Sequence, residues 1–101
     1  MPNKPTLKKY LEEHIPGVNV YIQPPASVLM HYPAIRCELN DVRNTSADDI
    51  AYKQDISHTL TYISNDAYDP NILELAKLPY CSFSRAYVSD ELYHTIFILY
   101  Y

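Results

Sequence analysis

The chain closes on Tyr80-Cys81-Ser82-Phe83-Ser84-Arg85-Ala86-Tyr87-Val88, Ser89-Asp90-Glu91, and Leu92-Tyr93-His94-Thr95-Ile96-Phe97-Ile98-Leu99-Tyr100-Tyr101. These residues read as two strands joined by a short acidic turn. The first carries large groups at Phe83 and Tyr87. The second is apolar, β-branched or aromatic almost throughout, a composition that favours strand. Alternation puts Tyr93, Thr95, Phe97, Leu99 and Tyr101 on one face, and His94, Ile96, Ile98 and Tyr100 on the other. Both faces look buried. That predicts a central strand, or one whose second face is covered by another subunit.

A chain of 101 residues is expected to be one domain, 1–101, with a modest core. With 48% hydrophobic residues, wholesale disorder is a poor fit. Eleven tyrosines stand against two phenylalanines and no tryptophan. Tyrosine joins a rigid apolar ring to a polar handle, which suits half-buried sheet positions and protein interfaces equally. A formal charge of −4 with scattered basic residues argues against nucleic acid as the main partner. Cys37 and Cys81 read as small buried thiols in a reducing compartment rather than a disulfide. No segment reaches the length of a membrane-spanning helix, so no membrane partner is expected.

Upstream of the closing hairpin, Leu7, Tyr10, Leu11 and Ile15 recur at helical spacing over residues 6–15. Thr6 stands ready to cap that helix and Pro16-Gly17 to stop it. Residues 18–23 predict a strand halted by Pro24-Pro25. Residues 24–33 are extended, and their Val28-Leu29-Met30 triplet is expected in the core rather than on a partner. Ala34 to Asp41 alternates with Ile35, Cys37 and Leu39 on one side, and Arg36, Glu38 and Asn40 on the other. Residues 42–54 are polar and without period, a long connection that marks a functional loop. The next strand, 55–64, sets Ile56, His58, Leu60 and Tyr62 against Ser57, Thr59, Thr61 and Ile63. Asp69-Pro70 then opens a second helix carrying Ile72, Leu73, Leu75, Ala76 and Leu78, which Pro79 ends. The order is α-β-β-β-α-β-β: an α+β fold with an antiparallel or mixed sheet and both helices on one face.

Chemistry is sparse. His14, His31, His58 and His94 are too far apart for a local metal motif, although Cys37, His58, Cys81 and His94 all lie on expected strands. A Cys81–His94–Asp90 triad can be written on the hairpin, but buried thiols and hydrogen-bonded imidazoles are the plainer reading. Asp48-Asp49 reads as a solvated acidic loop. Arg36 and Arg85 sit inside strands, where each points to water or pairs with an acid such as Asp48, Asp49 or Asp90. The expectation is a protein that is not an enzyme and uses no cofactor or metal.

Tyr32-Pro33-Ala34-Ile35-Arg36, Ala47-Asp48-Asp49 with Tyr52, and the closing run from Leu78-Pro79-Tyr80-Cys81 to Phe97-Ile98-Leu99-Tyr100 resemble small neck proteins of long-tailed bacteriophages and prophages. These are the tail-completion, or tail-terminator, proteins that join head to tail. The resemblance implies a structural virion protein, made in the bacterial cytoplasm and ending in the neck. It implies a ring, usually a hexamer, that ends tube polymerisation and meets the tail tube protein and the head connector. A free subunit can remain monomeric until a tail templates the ring. The short chain also suits a head-closure or connector protein, and an unrelated protein-interaction module or a small enzyme stay as rivals.

On this reading Arg36, Asp48, Asp49, Tyr52, Arg85, Tyr87, Asp90, Tyr93 and Tyr101 are candidates for the subunit or tube interface. Asp48 and Asp49 of one subunit are expected to meet Arg36 or Arg85 of the next. An acidic ring lumen would repel DNA rather than hold it.

Overall fold

The computed structural model describes residues 6–42 and 56–101, and at Asp41 and Val42 the backbone alone. The elements run α1 (Leu7–His14), β1 (Asn19–Ile22), β2 (Ala34–Val42), β3 (Ile56–Ser64), α2 (Asn71–Ala76), β4 (Cys81–Ser89) and β5 (Leu92–Tyr100). The order expected from the sequence is the order found.

The sheet is mixed, with strand order β1-β2-β3-β5-β4. β1 runs parallel to β2, and every other neighbouring pair is antiparallel. β5 therefore lies between β3 and β4, the central placement that was one of the two expected for it. Register lines up Cys37, Leu60, Phe97 and Phe83 across one face of the sheet. Arg36, Thr61, Ile96 and Arg85 line up across the other.

Both helices pack on the first of these faces. Leu11 and Ile15 from α1 and Leu75 and Leu78 from the α2 region join Ile35, Cys37, Leu60, Tyr62, Phe97 and Leu99 in one buried cluster. α1 forms because its apolar residues make a single stripe. The Thr6 hydroxyl accepts a hydrogen bond from the Lys9 N–H at 3.3 Å, and the Ile15 N–H closes the last turn on the Leu11 carbonyl. Gly17 follows with φ of +84°, a conformation that would strain any side chain.

α2 starts one residue later than the proline pattern suggests, so Pro70 takes the N-cap position without a side-chain cap and Asp69 stands just outside it. One Asp69 oxygen accepts from the Asn71 N–H at 2.9 Å and the other from the Tyr62 hydroxyl at 2.7 Å. Asn71 in turn donates its side-chain amide to the Tyr62 oxygen at 3.2 Å. Tyr62 is fully buried on β3, so this network ties the short helix to the centre of the sheet.

One expectation needs correction. Leu29 is 80% exposed, while Val28 and Met30 are only partly buried, so the triplet is not core. On β4, uninterrupted alternation would place Phe83 and Tyr87 on one face. A bulge between Phe83 and Arg85 inserts Ser84 and sends them to opposite faces: Phe83 aligns with Phe97, Tyr87 with His94.

Candidate functional site: two apolar sheet edges

β4 is an edge strand, and every residue on it but Cys81 is exposed. Phe83 is 58% exposed and Val88 62% exposed. The Phe83 ring meets the buried Phe97 edge-on, with centroids 5.9 Å apart, so its base is anchored while its outer surface is wet. Beside the strand, Tyr80 and the α2 residue Leu73 are also exposed. Next to them lies an open apolar hollow of about 250 Å³, lined by Ala67, Tyr68, Asp69, Pro70, Ile72 and Leu73. Both carboxylate oxygens of Asp69 are already engaged, so the hollow offers surface rather than a free acid.

On the opposite face of β4, the Arg85 guanidinium lies 5.6 Å from the centre of the Tyr87 ring. Tyr87 stacks on His94 at 4.7 Å and 11°, and the His94 Nδ1 is 3.1 Å from the Leu92 carbonyl. Three side chains thus brace one another along the hairpin.

Further apolar side chains are exposed toward the far edge of the sheet. There Ile22 on β1, Leu39 on β2, and Leu29 and Tyr32 of the connecting segment are exposed. The segment is held in place by hydrogen bonds: the His31 N–H donates to the Tyr21 hydroxyl at 3.0 Å. The Asn19 side chain donates to the His31 carbonyl at 2.9 Å.

The residues expected at an interface are dispersed among these features. Arg85 and Tyr87 form the ladder on β4, and Tyr93 faces the helical side opposite Val88. Asp90 is in the hairpin turn. Tyr101 packs on Tyr10 of α1, with ring centroids 4.8 Å apart, and belongs to the rim of the core. Arg36 shares the face of Arg85 but lies three strands away, about 14 Å at ordinary strand spacing. It pairs with Glu38 of its own strand at 3.5 Å, not with a loop acid. Among the described residues no carboxylate is within ion-pair range of Arg85, so its expected partner Asp90 is not one. Asp48, Asp49 and Tyr52 lie outside the described residues.

Register separates the remaining chemical candidates. Cys81 aligns with Leu99 and His94 with Tyr87, so the two stand at opposite ends of the hairpin and on opposite faces. No triad forms there. Cys37 and Cys81 are free thiols three strands apart. Burial pushes the Cys37 thiol up to about 12 and the Cys81 thiol up to about 11, leaving neither as a ready nucleophile. Among the described residues no three His, Cys, Asp or Glu side chains are grouped as metal ligands. No helix among them is long and apolar enough to cross a membrane.

No protein-family model, curated protein or solved structure matches this chain. The chain's own geometry offers exposed apolar side chains toward both edges of one sheet. Sequence reasoning singled out Arg85 and Tyr87 but missed Phe83, Val88 and Leu29. The signal for β4 was present in a strand with one charge and no proline.

Proposed function

We propose that this chain is a structural assembly subunit of the neck of a long-tailed phage or prophage, acting as a tail terminator. Copies would form a ring, hexameric as in the resembled family, on the head-proximal end of the tail tube. The ring would stop tube growth and offer a surface to the head connector. Tube protein and connector are then its partners, and the virion neck its destination after synthesis in the host cytoplasm.

The observation that carries this reading is the exposed apolar surface toward two different edges of the sheet. A subunit in a ring meets one neighbour through one patch and the next through another, because the contact is head-to-tail. The β4–α2 side and the β1–Leu29 side provide such a pair. Aromatic side chains suit it, since a tyrosine loses little rotamer freedom for the area it covers.

The test is negative-stain imaging of the purified chain mixed with purified tails that lack a terminator. Capping of one end of each tube is the expected result. A chain that neither caps tails nor associates with them would belong to another class of interaction protein.

A further inference from the structure

We infer that two free copies of this chain pair through their β4 edges, antiparallel and about a two-fold axis at Ala86, into one continuous ten-stranded sheet. The pairing itself rests on edge geometry alone. Its consequence for assembly rests on the ring reading above.

Among the described residues no strand pairs with the outer edge of β4. The Tyr80 carbonyl accepts from the Tyr100 N–H at 3.0 Å, and a two-residue turn closes β4 on β5. Antiparallel geometry then turns the N–H and C=O of Ser82, Arg85, Tyr87 and Ser89 toward β5, and those of Phe83, Ala86 and Val88 outward. β4 contains no proline and no lysine, the usual guards of an edge. Its guards are Arg85 and the bulge at Ser84, and that bulge creates the symmetry.

Measured along β5, Ala86 is opposite Thr95, Phe83 opposite Phe97 and Val88 opposite Tyr93. Phe83 and Val88 therefore stand equally far from Ala86, on the helical face. Arg85 and Tyr87 are opposite Ile96 and His94, one step to either side, on the other face. A two-fold axis through Ala86 brings Phe83 against Val88 of the second copy, and Arg85 against Tyr87, each twice. The small Ala86 side chains meet at the centre. Tyr87 is already stacked on His94, so little ordering remains to be done on binding.

Identical strands match in this way without any foreign sequence, which selects a second copy as the occupant. Tyr80, Phe83, Tyr87 and Val88 leave on the order of 500 Å² of side-chain surface in water. The strand's serines, Arg85 and free backbone groups extend the patch toward the ~800 Å² per partner of a stable complex. Such an isologous contact closes at two. It would occupy the β4 patch on both subunits and keep free chains from closing rings without a tail.

The full-length chain is to be examined by light scattering across a wide concentration range, beside Val88→Lys and Ala86→Pro. The proline removes an outward N–H that β5 does not use, so the folded subunit keeps its own ladder. The wild type should form a dimer that weakens at least about tenfold in each variant, the equivalent of ~1.4 kcal/mol. Circular dichroism should remain native for Val88→Lys even if Ala86→Pro unfolds. Ala86→Cys, oxidised with diamide, should cross-link to a covalent dimer. The Cα separation of about 5.5 Å in a hydrogen-bonded pair suits a disulfide. Asn19→Cys, on the far edge, should pair like the wild type but form no covalent dimer. A wild type that stays monomeric, or equal cross-linking at both positions, overturns the inference. Dimers that never cap tails would sink the neck proposal and leave this one standing.

Discussion

The residue that ties most together is Tyr62. Its hydroxyl sits in the core, donating to Asp69 and accepting from Asn71. Burial, reinforced by the bond to Asp69, pushes its ionisation up to about 12 from an ordinary 10.0. Burial raises Cys37 to about 12 and Cys81 to about 11 from 9.0. For all three the folded value lies above the unfolded one, so folding favours the protonated form. Their stabilisation is complete below about pH 9 and is lost between about pH 9 and pH 12. Stability measured by denaturant titration should therefore fall across that interval. Tyr62→Phe should cost about 1 kcal/mol at neutral pH and flatten the part of the fall above pH 10. An unchanged alkaline slope in the variant would place the loss elsewhere. The burial of Tyr62 was legible in the alternation of β3; its partner was not, because Asp69 reaches it only through the turn and the start of α2.

At the scale of the element, the β4–β5 hairpin was the most readable part of the chain, and its details the least. Its two strands and acidic turn follow from propensity. Asp90 and Glu91 both adopt positive φ, 52° and 63°, the mirror-image turn that matches strand twist. Aspartate tolerates that region; glutamate gains nothing from it. Glu91→Gly should accordingly stabilise the chain by about 0.5–1 kcal/mol in chemical denaturation. A loss of stability instead would mean that the Glu91 side chain makes a contact worth more than the strain. The bulge at Ser84 left no mark in the pattern, since an extra residue shifts the face of everything after it without changing composition. Leu29 was misplaced for a related reason: an apolar triplet shows hydrophobicity but not which member lies beneath a neighbour.

For the whole molecule, the question is how the exposed apolar surface toward two edges of the sheet is used. If a ring joins the β1–Leu29 side of one subunit to the β4–α2 side of the next, Leu29→Glu and Phe83→Glu each break every contact in a ring of that variant. Mixed together, they retain only the contact between one intact patch of each. A mixture should then yield heterodimers and no closed rings, and tail capping should drop at least about tenfold for either variant alone. Full capping by either one would assign the ring contact to other surfaces. Asp48 and Asp49 enter through the same assay, where their double charge reversal tests the loop contact expected from the sequence.

By itself the sequence determined the number, kind and order of the elements, the faces of each strand up to its bulge, and the poverty of local catalytic motifs. Those are consequences of periodicity, caps and turn residues, all short-range. Only the tertiary structure decided that β5 lies inside the sheet and β4 at its edge, so that the surplus apolar surface belongs to β4. It alone set Cys81 and His94 on opposite faces, and Arg36 far from Arg85. Alternation encodes two faces of a strand but not which strand lies beside it. That choice is made by long-range hydrogen bonding and by where two short helices can cover the sheet.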